Sequence, residues 1–504
     1  MAKGKLVLEG LIELRSPALI GCGSKERSDV DIIRDGGNNP FIPATSFVGA
    51  LRHVITIEGR ENELKLKQFW GFTADGKNAQ EAGRPTGLSH ADNAVSVAER
   101  EKISNTREER QSSLRCRDLT YKKGLVPNIT IRDGIAIEAK TGIVESGKKY
   151  EYEVIEPGAQ FNLHLEVSFG NDTTRDFSRS MIVTIREKLE QEAVRIGAKT
   201  NSGLGKIRLV DAKISELNFG DRRDLVHWLR KDFSNTTPLS GVKPFSLREK
   251  LFTIDATFGL KNSLIIRSYP SDPKMADAVH IQSGGIPVLP GASLKGAIRS
   301  RAERIIKTLF GAGMDKTDVN KTDKVKAFLN ALFGYVDCEN QTKEADKGKV
   351  SGGRKKSKEA LKGRVRIDEV TLPAFAAELQ TRIKIDRFTG GTIESALLET
   401  MPLFSDGDAD KQIRNVKITI RDYQDAEAGL MLLVLKDLWT GDLAIGGEKG
   451  VGRGVLEGVR ADVCWDNSNP SSATLVKDAM GFHISNKEPL EAFVEELKKF
   501  AEGR

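Results

Sequence analysis

Three short patterns able to do chemistry occur in this 504-residue chain, each of them twice. The first is a loop carboxylate. Arg27-Ser28-Asp29-Val30-Asp31-Ile32-Ile33-Arg34-Asp35-Gly36-Gly37 has a counterpart in Met275-Ala276-Asp277-Ala278-Val279-His280-Ile281-Gln282-Ser283-Gly284-Gly285. Anchoring the two on their Gly-Gly pairs sets Asp29 over Asp277, Asp31 over Val279 and Asp35 over Ser283. One shared carboxylate cannot hold Mg²⁺ tightly, but it can share an octahedral ion with substrate phosphate oxygens and water. The plain alternative is a solvated loop acid.

The second pattern opens a helix. Ile42-Pro43-Ala44-Thr45-Ser46-Phe47-Val48-Gly49-Ala50-Leu51-Arg52 returns as Leu289-Pro290-Gly291-Ala292-Ser293-Leu294-Lys295-Gly296-Ala297-Ile298-Arg299, offset by 247. Free N–H groups and the positive end of a helix dipole suit a phosphate, and Arg52 and Arg299 follow on nearly the same face. Capping by Ser46 and Ser293, and close packing by Gly49 and Gly296, explain the same residues structurally. The third pattern is a glycine loop. Gly203-Leu204-Gly205-Lys206 matches Gly450-Val451-Gly452-Arg453, again at 247, with Lys199 and Lys449 just upstream. Glycines admit an anion to the backbone amides, and Lys206 and Arg453 add charge; an ordinary turn is the other reading.

These patterns recur in one order, as do the opening strands (6–14 and 252–260) and an aromatic-Gly turn (Phe69-Trp70-Gly71; Leu332-Phe333-Gly334). A repeat on this scale is a duplicated domain. The expected boundaries are 1–235 for the first domain, 236–245 for a linker and 246–504 for the second. Each half reads as strand, helix (46–59; 293–309), strands with a hairpin, helix (181–196; 429–437) and strand. That is the βαββαβ order of a ferredoxin-like, RRM-like α+β unit. Residues 73–113 and 343–366 are inserts, the latter with ten basic residues against three acidic. It reads as a solvated loop or a nucleic-acid contact. Leu490, Phe493, Leu497 and Phe500 mark a C-terminal amphipathic helix.

Composition narrows the function. Net charge is +7 and the pI about 9.0, a mild lean toward an acidic partner. With 21 Phe, 6 Tyr and 4 Trp, rows of base-stacking rings are not expected. Cys22, Cys116, Cys338 and Cys464 lie far apart, so neither a disulfide scaffold nor a zinc site is expected. The glycine loops follow helices and precede strands, unlike a P-loop or a dinucleotide fingerprint. No stretch approaches a membrane span or a signal core, so the expected location is cytoplasmic.

Taken together, [IL]-P-x-x-S-x-x-G-x-x-R after an Asp-bearing loop, the aromatic-Gly turn, an I-[DE]-x-x-T-G hairpin (135–142; 383–390) and a terminal G-x-G-[KR] loop resemble the RAMP superfamily. More narrowly, they resemble the backbone subunit of type III CRISPR effector complexes, in the fused double form of type III-D-like systems. The resemblance implies ferredoxin-like palms along a CRISPR RNA, with β-hairpin thumbs, here about 131–152 and 382–404. It also implies a loop Asp that cuts target RNA with a transient Mg²⁺ or Mn²⁺, at six-nucleotide intervals, leaving a 2′,3′-cyclic phosphate. Carried over by motif, Asp29 and Asp277 are the cleavage residues and metal ligands. Ser46, Arg52, Lys199, Lys206, Ser293, Lys295, Arg299, Lys449 and Arg453 become RNA contacts, as do Thr141, Arg387 and Thr389 of the hairpins. Partners are CRISPR RNA, target RNA and the backbone, large and small subunits of the complex, with no membrane.

The first copy departs from the family pattern at Ala44 and Val48, where Gly and Lys are preferred, and Asp31 competes with Asp29. Two other functions fit the resemblance. One is a non-catalytic guide scaffold; the other is a metal-independent endonuclease for CRISPR precursor RNA, using a histidine such as His53.

Overall fold

The computed structural model describes residues 3–23, 27–58, 63–71, 111–138, 141, 143–233, 239–247, 250–270, 272, 274–311, 319–336, 360–408, 410–466, 471–478 and 481–502. Most of both inserts, Lys140 and Gly142 of the first hairpin, and 236–238 of the expected linker lie outside the described residues.

Strand β1 (Gly4–Leu14) alternates, turning Leu6, Leu8, Ile12 and Leu14 into one core. Its other face is not bare: Val7 packs with Leu217 and Phe233. There follow α1 (Ala44–Glu58), α2 (Glu63–Trp70), β2 (Leu114–Cys116), a hairpin of β3 (Ile129–Gly134) and β4 (Tyr150–Ile155), β5 (Gln160–Phe169), α3 (Asp172–Glu190), β6 (Ile207–Asn218) and α4 (Arg222–Arg230). The sheet runs β2-β5-β1-β6, antiparallel throughout.

The second series is β7 (Leu251–Leu260), β8 (Ala278–His280), α5 (Gly291–Leu309), α6 (Val319–Phe333), β9 (Val365–Ile367), a hairpin of β10 (Gln380–Ile385) and β11 (Thr392–Met401), β12 (Ile413–Arg421), α7 (Asp425–Thr440), β13 (Leu456–Trp465), β14 (Ser471–Asp478), β15 (Gly481–Ile484) and α8 (Lys487–Glu502). Its sheet is β9-β12-β7-β13-β14-β15, so its first four strands repeat the order of the first sheet. The protein is mixed α+β. Phe47 and Leu51 of α1, and Leu294 and Ile298 of α5, sit at most 1% exposed over their sheets. Each such side chain contributes about 1.5–3 kcal/mol.

Several expected boundaries shift. Helix α3 starts nine residues before the expected 181, because Asn171 and Thr174 form a capping box. Helices α1 and α5 start two residues early, each directly after a proline, so Ser46 and Ser293 lie inside the first turn rather than at the cap. The second sheet gains β14 and β15, which were not expected, before the amphipathic α8. That helix buries Leu490, Phe493 and Leu497, and its backbone comes so near Gly429 that a Cβ there would meet Phe493 O at 2.1 Å.

The stretch expected as a linker partly packs: Phe245 N–H donates to Thr184 Oγ1 at 2.7 Å, and its ring meets Phe177 edge-on. The two halves touch through buried ion pairs, Arg132 to Glu369 at 2.7 Å and Arg195 to Asp368 at 3.0 Å. Such pairs fix register more than they add stability. Ser283 Oγ donates to Glu156 at 2.5 Å, and Asn201 Nδ2 to Gly363 O at 2.6 Å. Gly203, at φ 96°, lies against the Asp368–Glu369 backbone, where a Cβ would stand 2.4 Å from Glu369 N.

Candidate nucleic-acid interface

Helix α1 turns Phe47 and Leu51 inward, which leaves Ser46, Gly49 and Arg52 together on its open face. Ser293, Gly296 and Arg299 do the same on α5, with Ser293 half-buried. Among the described residues, no atom beyond the chain neighbours and the helix's own backbone lies within 4 Å of where a Cβ would stand on Gly49 or Gly296. Packing among the described residues therefore does not require these glycines. An interior helical glycine costs about 1 kcal/mol relative to Ala, so its use on an open face points to close approach from outside. Lys295 is pushed down to about 8 by burial and then by Arg299. Arg299 also reaches Gly334 O at 3.3 Å.

The acid loops are clipped to the roots of the hairpins. Asp29 N–H donates to Glu151 O at 3.1 Å, and Val30 bridges Tyr152 in parallel. In the second half β8 pairs in parallel with β11, Ala278 opposite Thr400. Asp29 and Asp277 are both exposed, and neither is ion-paired among the described residues. Each gives one oxygen, Oδ2, to a backbone N–H of the hairpin strand: Glu151 at 2.9 Å and Glu399 at 2.8 Å. The other oxygen of each accepts no hydrogen bond among the described residues. That donor set does not build a closed metal cage, but it fits an ion held mainly by phosphate and water.

Asp31 is corrected as a candidate acid. It is 3% exposed, and its oxygens accept from the backbone N–H groups of Arg27 (3.2 Å) and Ser28 (2.8 Å) and from the Ser28 hydroxyl (2.9 Å). It staples the loop that presents Asp29. His280 likewise serves the core: it is 3% exposed, Nε2 faces Val288 O at 2.9 Å, and burial pushes its pKa down.

The glycine loops obey a different register from the lettered match. Lys199 and Glu448 share φ near 55°, Gly203 and Gly452 are both left-handed, and Gly205 and Gly454 both have φ 75°. Ile196 N–H donates to Gly205 O, and Ile445 N–H to Gly454 O, both at 2.9 Å. The true offset is 249, which puts Arg453 opposite Leu204, each 3% exposed. Arg453 is accordingly corrected from an RNA contact to an internal brace. Its guanidinium meets Glu448 at 2.8 Å, Ser263 at 3.0 Å and the Gln380 side chain. Lys206 is bound to Glu192 at 2.6 Å, so it is not a free cation either. Lys199 is taken up by the first hairpin, its Nζ 2.5 Å from Tyr150 OH and 4.0 Å from the Tyr152 ring centroid. Lys449 stays exposed near Arg304.

The expected hairpins form. Asp386 Oδ1 accepts from the N–H groups of Phe388 and Thr389 at 2.8 Å, leaving Arg387 exposed at the tip. Thr141 donates to Glu138 at 2.7 Å. Ile131, Ile383, Ile385 and Leu397 are each more than half exposed along the hairpins.

A fourth duplicated pattern went unnoticed in the sequence. Leu114-Arg115-Cys116-Arg117-Asp118-Leu119-Thr120 corresponds to Val365-Arg366-Ile367-Asp368-Glu369-Val370-Thr371 at offset 251. It begins just after the first insert and at the end of the second, and the unequal inserts shift its offset away from the spacing that revealed the others. Asp118 accepts from Ala44 N–H at 2.7 Å at the start of α1, whereas Asp368 and Glu369 hold the first half.

An antiparallel sheet of one strand order occurs in each half, each with an exposed helix face and an exposed acid bonded to a hairpin strand. The RAMP superfamily model matches residues 11–208 and 257–457, and the chain belongs to that superfamily. RAMP proteins bind CRISPR RNA within multi-subunit complexes. No curated protein matches the chain. No described helix is long and apolar enough to cross a membrane.

Proposed function

We propose that this chain is the fused double-backbone subunit of a type III CRISPR effector complex, of the type III-D-like form. Residues 1–235 and 246–504 are read as two ferredoxin-like palms joined by 236–245. They hold CRISPR RNA along the open faces of α1 and α5, next to large, small and further backbone subunits in the cytoplasm. Ser46, Arg52, Ser293, Lys295, Arg299 and Lys449 are the guide contacts; Thr141, Arg387 and Thr389 belong to the thumbs. Recognition is by phosphate and shape, with base pairing supplying sequence.

The activity proposed is cleavage of guide-paired target RNA by Asp29 and Asp277, at cuts six nucleotides apart. The observation that carries it is the duplicated placement of an exposed acid, one oxygen fixed and one open, at the root of each hairpin. The open oxygen orients and deprotonates the target 2′-hydroxyl. The 2′-oxygen then bonds to phosphorus as the 5′-oxygen leaves and takes a proton from water, which yields the 2′,3′-cyclic phosphate. Phosphate oxygens and water, with Asp29 or Asp277 reaching the ion through a water, would hold a Mg²⁺ or Mn²⁺, which would supply charge neutralisation at the phosphate.

The test is to assemble the chain with guide RNA and its partner subunits and sequence the ends of bound target. Two EDTA-sensitive cuts six nucleotides apart are expected. Intact target in a stably bound complex would leave only the scaffold.

A further inference from the structure

One cluster of basic side chains belongs to neither half alone. His53 of α1 in the first half meets the edge of the second, where Lys362 ends the strand Ala360–Lys362 and Arg421, at the end of β12, donates its backbone N–H to Arg364 O at 3.3 Å. Lys362 Nζ lies 3.4 Å from His53 Nε2. No carboxylate pairs with His53, Lys362 or Arg421 among the described residues. The arrangement is costly as it stands. His53 is pushed down to about 4 by burial, then by Lys362 and Arg421; Lys362 is pushed down by burial, then by Arg421 and Arg366. Both side chains nonetheless remain open to solvent. Both are therefore crowded by protein yet reachable by water.

We propose that His53, Lys362 and Arg421 form a seat for a phosphate group at the junction of the two halves. The like charges of Lys362 and Arg421, with no counter-ion among the described residues, are relieved by an anion, and the N–H groups of the lysine, the arginine and the imidazole can donate to it. Arg52 precedes His53 on α1, so the seat continues the row of Ser46, Gly49 and Arg52. The cluster is not duplicated. Ser300 stands in α5 where His53 stands in α1. Ile420 faces Phe252 as Val167 faces Leu6, which puts Ser168 in the place of Arg421. A single phosphate held here touches both halves and ties their relative placement to ligand binding. The chemistry is that of a phosphate oxygen, whether from an RNA backbone or from free phosphate. The RNA source rests on the function proposed above.

The test uses the full-length chain and its K362Q/R421Q variant in two assays. In the first, labelled single-stranded RNA is titrated at several salt concentrations. The variant is expected to bind at least threefold more weakly, with a salt slope shallower by about 1.4, at ~0.7 per lost contact on a single strand. In the second, thermal unfolding is followed in inorganic phosphate and in chloride of equal ionic strength. A phosphate-specific rise in midpoint for wild type only, with RNA binding unchanged, assigns the seat to free phosphate. Equal RNA slopes together with equal responses to phosphate overturn the seat. Wild type that binds no RNA at all sinks the guide-scaffold reading instead, and the phosphate assay then decides the seat alone. Should the double variant fail to fold, K362Q, on an exposed edge residue, is read by the same criteria with half the change in slope.

Discussion

Asp29 and Asp277 make the same contact in the two halves: each carboxylate accepts a hydrogen bond from a backbone N–H 122 residues downstream, that of Glu151 at 2.9 Å and that of Glu399 at 2.8 Å. Both residues are exposed, so the pair looks like one device made twice. Asp29→Asn and Asp277→Asn should each abolish one of two cuts in guided target, slowing it at least ~100-fold, while leaving the other cut and guide binding intact. Asp31→Ala should instead lower the unfolding midpoint by removing the loop staple, at a cost of about 1–3 kcal/mol. If either asparagine variant cleaves at both positions as wild type does, on a denaturing gel, the assignment of that acid is wrong.

Gly49 and Gly296 separate folding from binding. Alanine at either position meets no neighbour within 4 Å among the described residues beyond its own helix. Helix propensity alone should then stabilise the chain by about 0.5–1 kcal/mol per site. The same methyl groups stand on the face assigned to guide RNA, so affinity should fall as the melting midpoint rises. A variant with both higher stability and unchanged RNA affinity would show that nothing approaches this face closely.

Arg453 is expected to behave as a buried brace. Removing its guanidinium leaves Glu448, 6% exposed, to Arg267 and Arg382 alone, and strands the partners Ser263 and Gln380. Arg453→Ala should cost on the order of 3–5 kcal/mol in chemical denaturation. The salt slope of RNA binding should not change, whereas Arg52→Ala and Arg299→Ala should flatten it.

Acid stability should depend on Glu166. Its hydrogen bond from His164, opposed by burial and helped by Lys5 at 2.5 Å, holds it down to about 2. A depressed carboxyl stabilises the fold above its ordinary value of ~4.3 and loses that contribution as pH falls through about 2. His164 is raised by Glu166 and Glu9, so its share is present below ~6.5 and fades as pH rises through its folded value. Glu166→Gln should therefore be less stable than wild type at neutral pH, the gap closing between about pH 4 and pH 2. A constant gap across that range, measured by urea denaturation, would contradict the pairing.

The chain's letters were enough to reveal the duplication, the opening strands, the motif after each proline and the amphipathic C-terminal helix, because each rests on local spacing or short-range periodicity. They were also enough to nominate Asp29 and Asp277, since both sit at one distance from a Gly-Gly pair. Three matters needed the folded chain. Asp29 and Asp31 differ by two positions in one loop, and only burial and the Arg27 and Ser28 amides tell the presenter from the staple. The glycine loops were matched on identical letters at 247, but left-handed φ values and the closing Ile445–Gly454 bond set the register at 249 and turned Arg453 inward. The ion pairs of Arg132 and Arg195 with Glu369 and Asp368 join residues 237 and 173 positions apart. Spacing carries no trace of such contacts, because they are fixed by how two separately packed sheets meet, and that is a property of surfaces rather than of neighbouring residues.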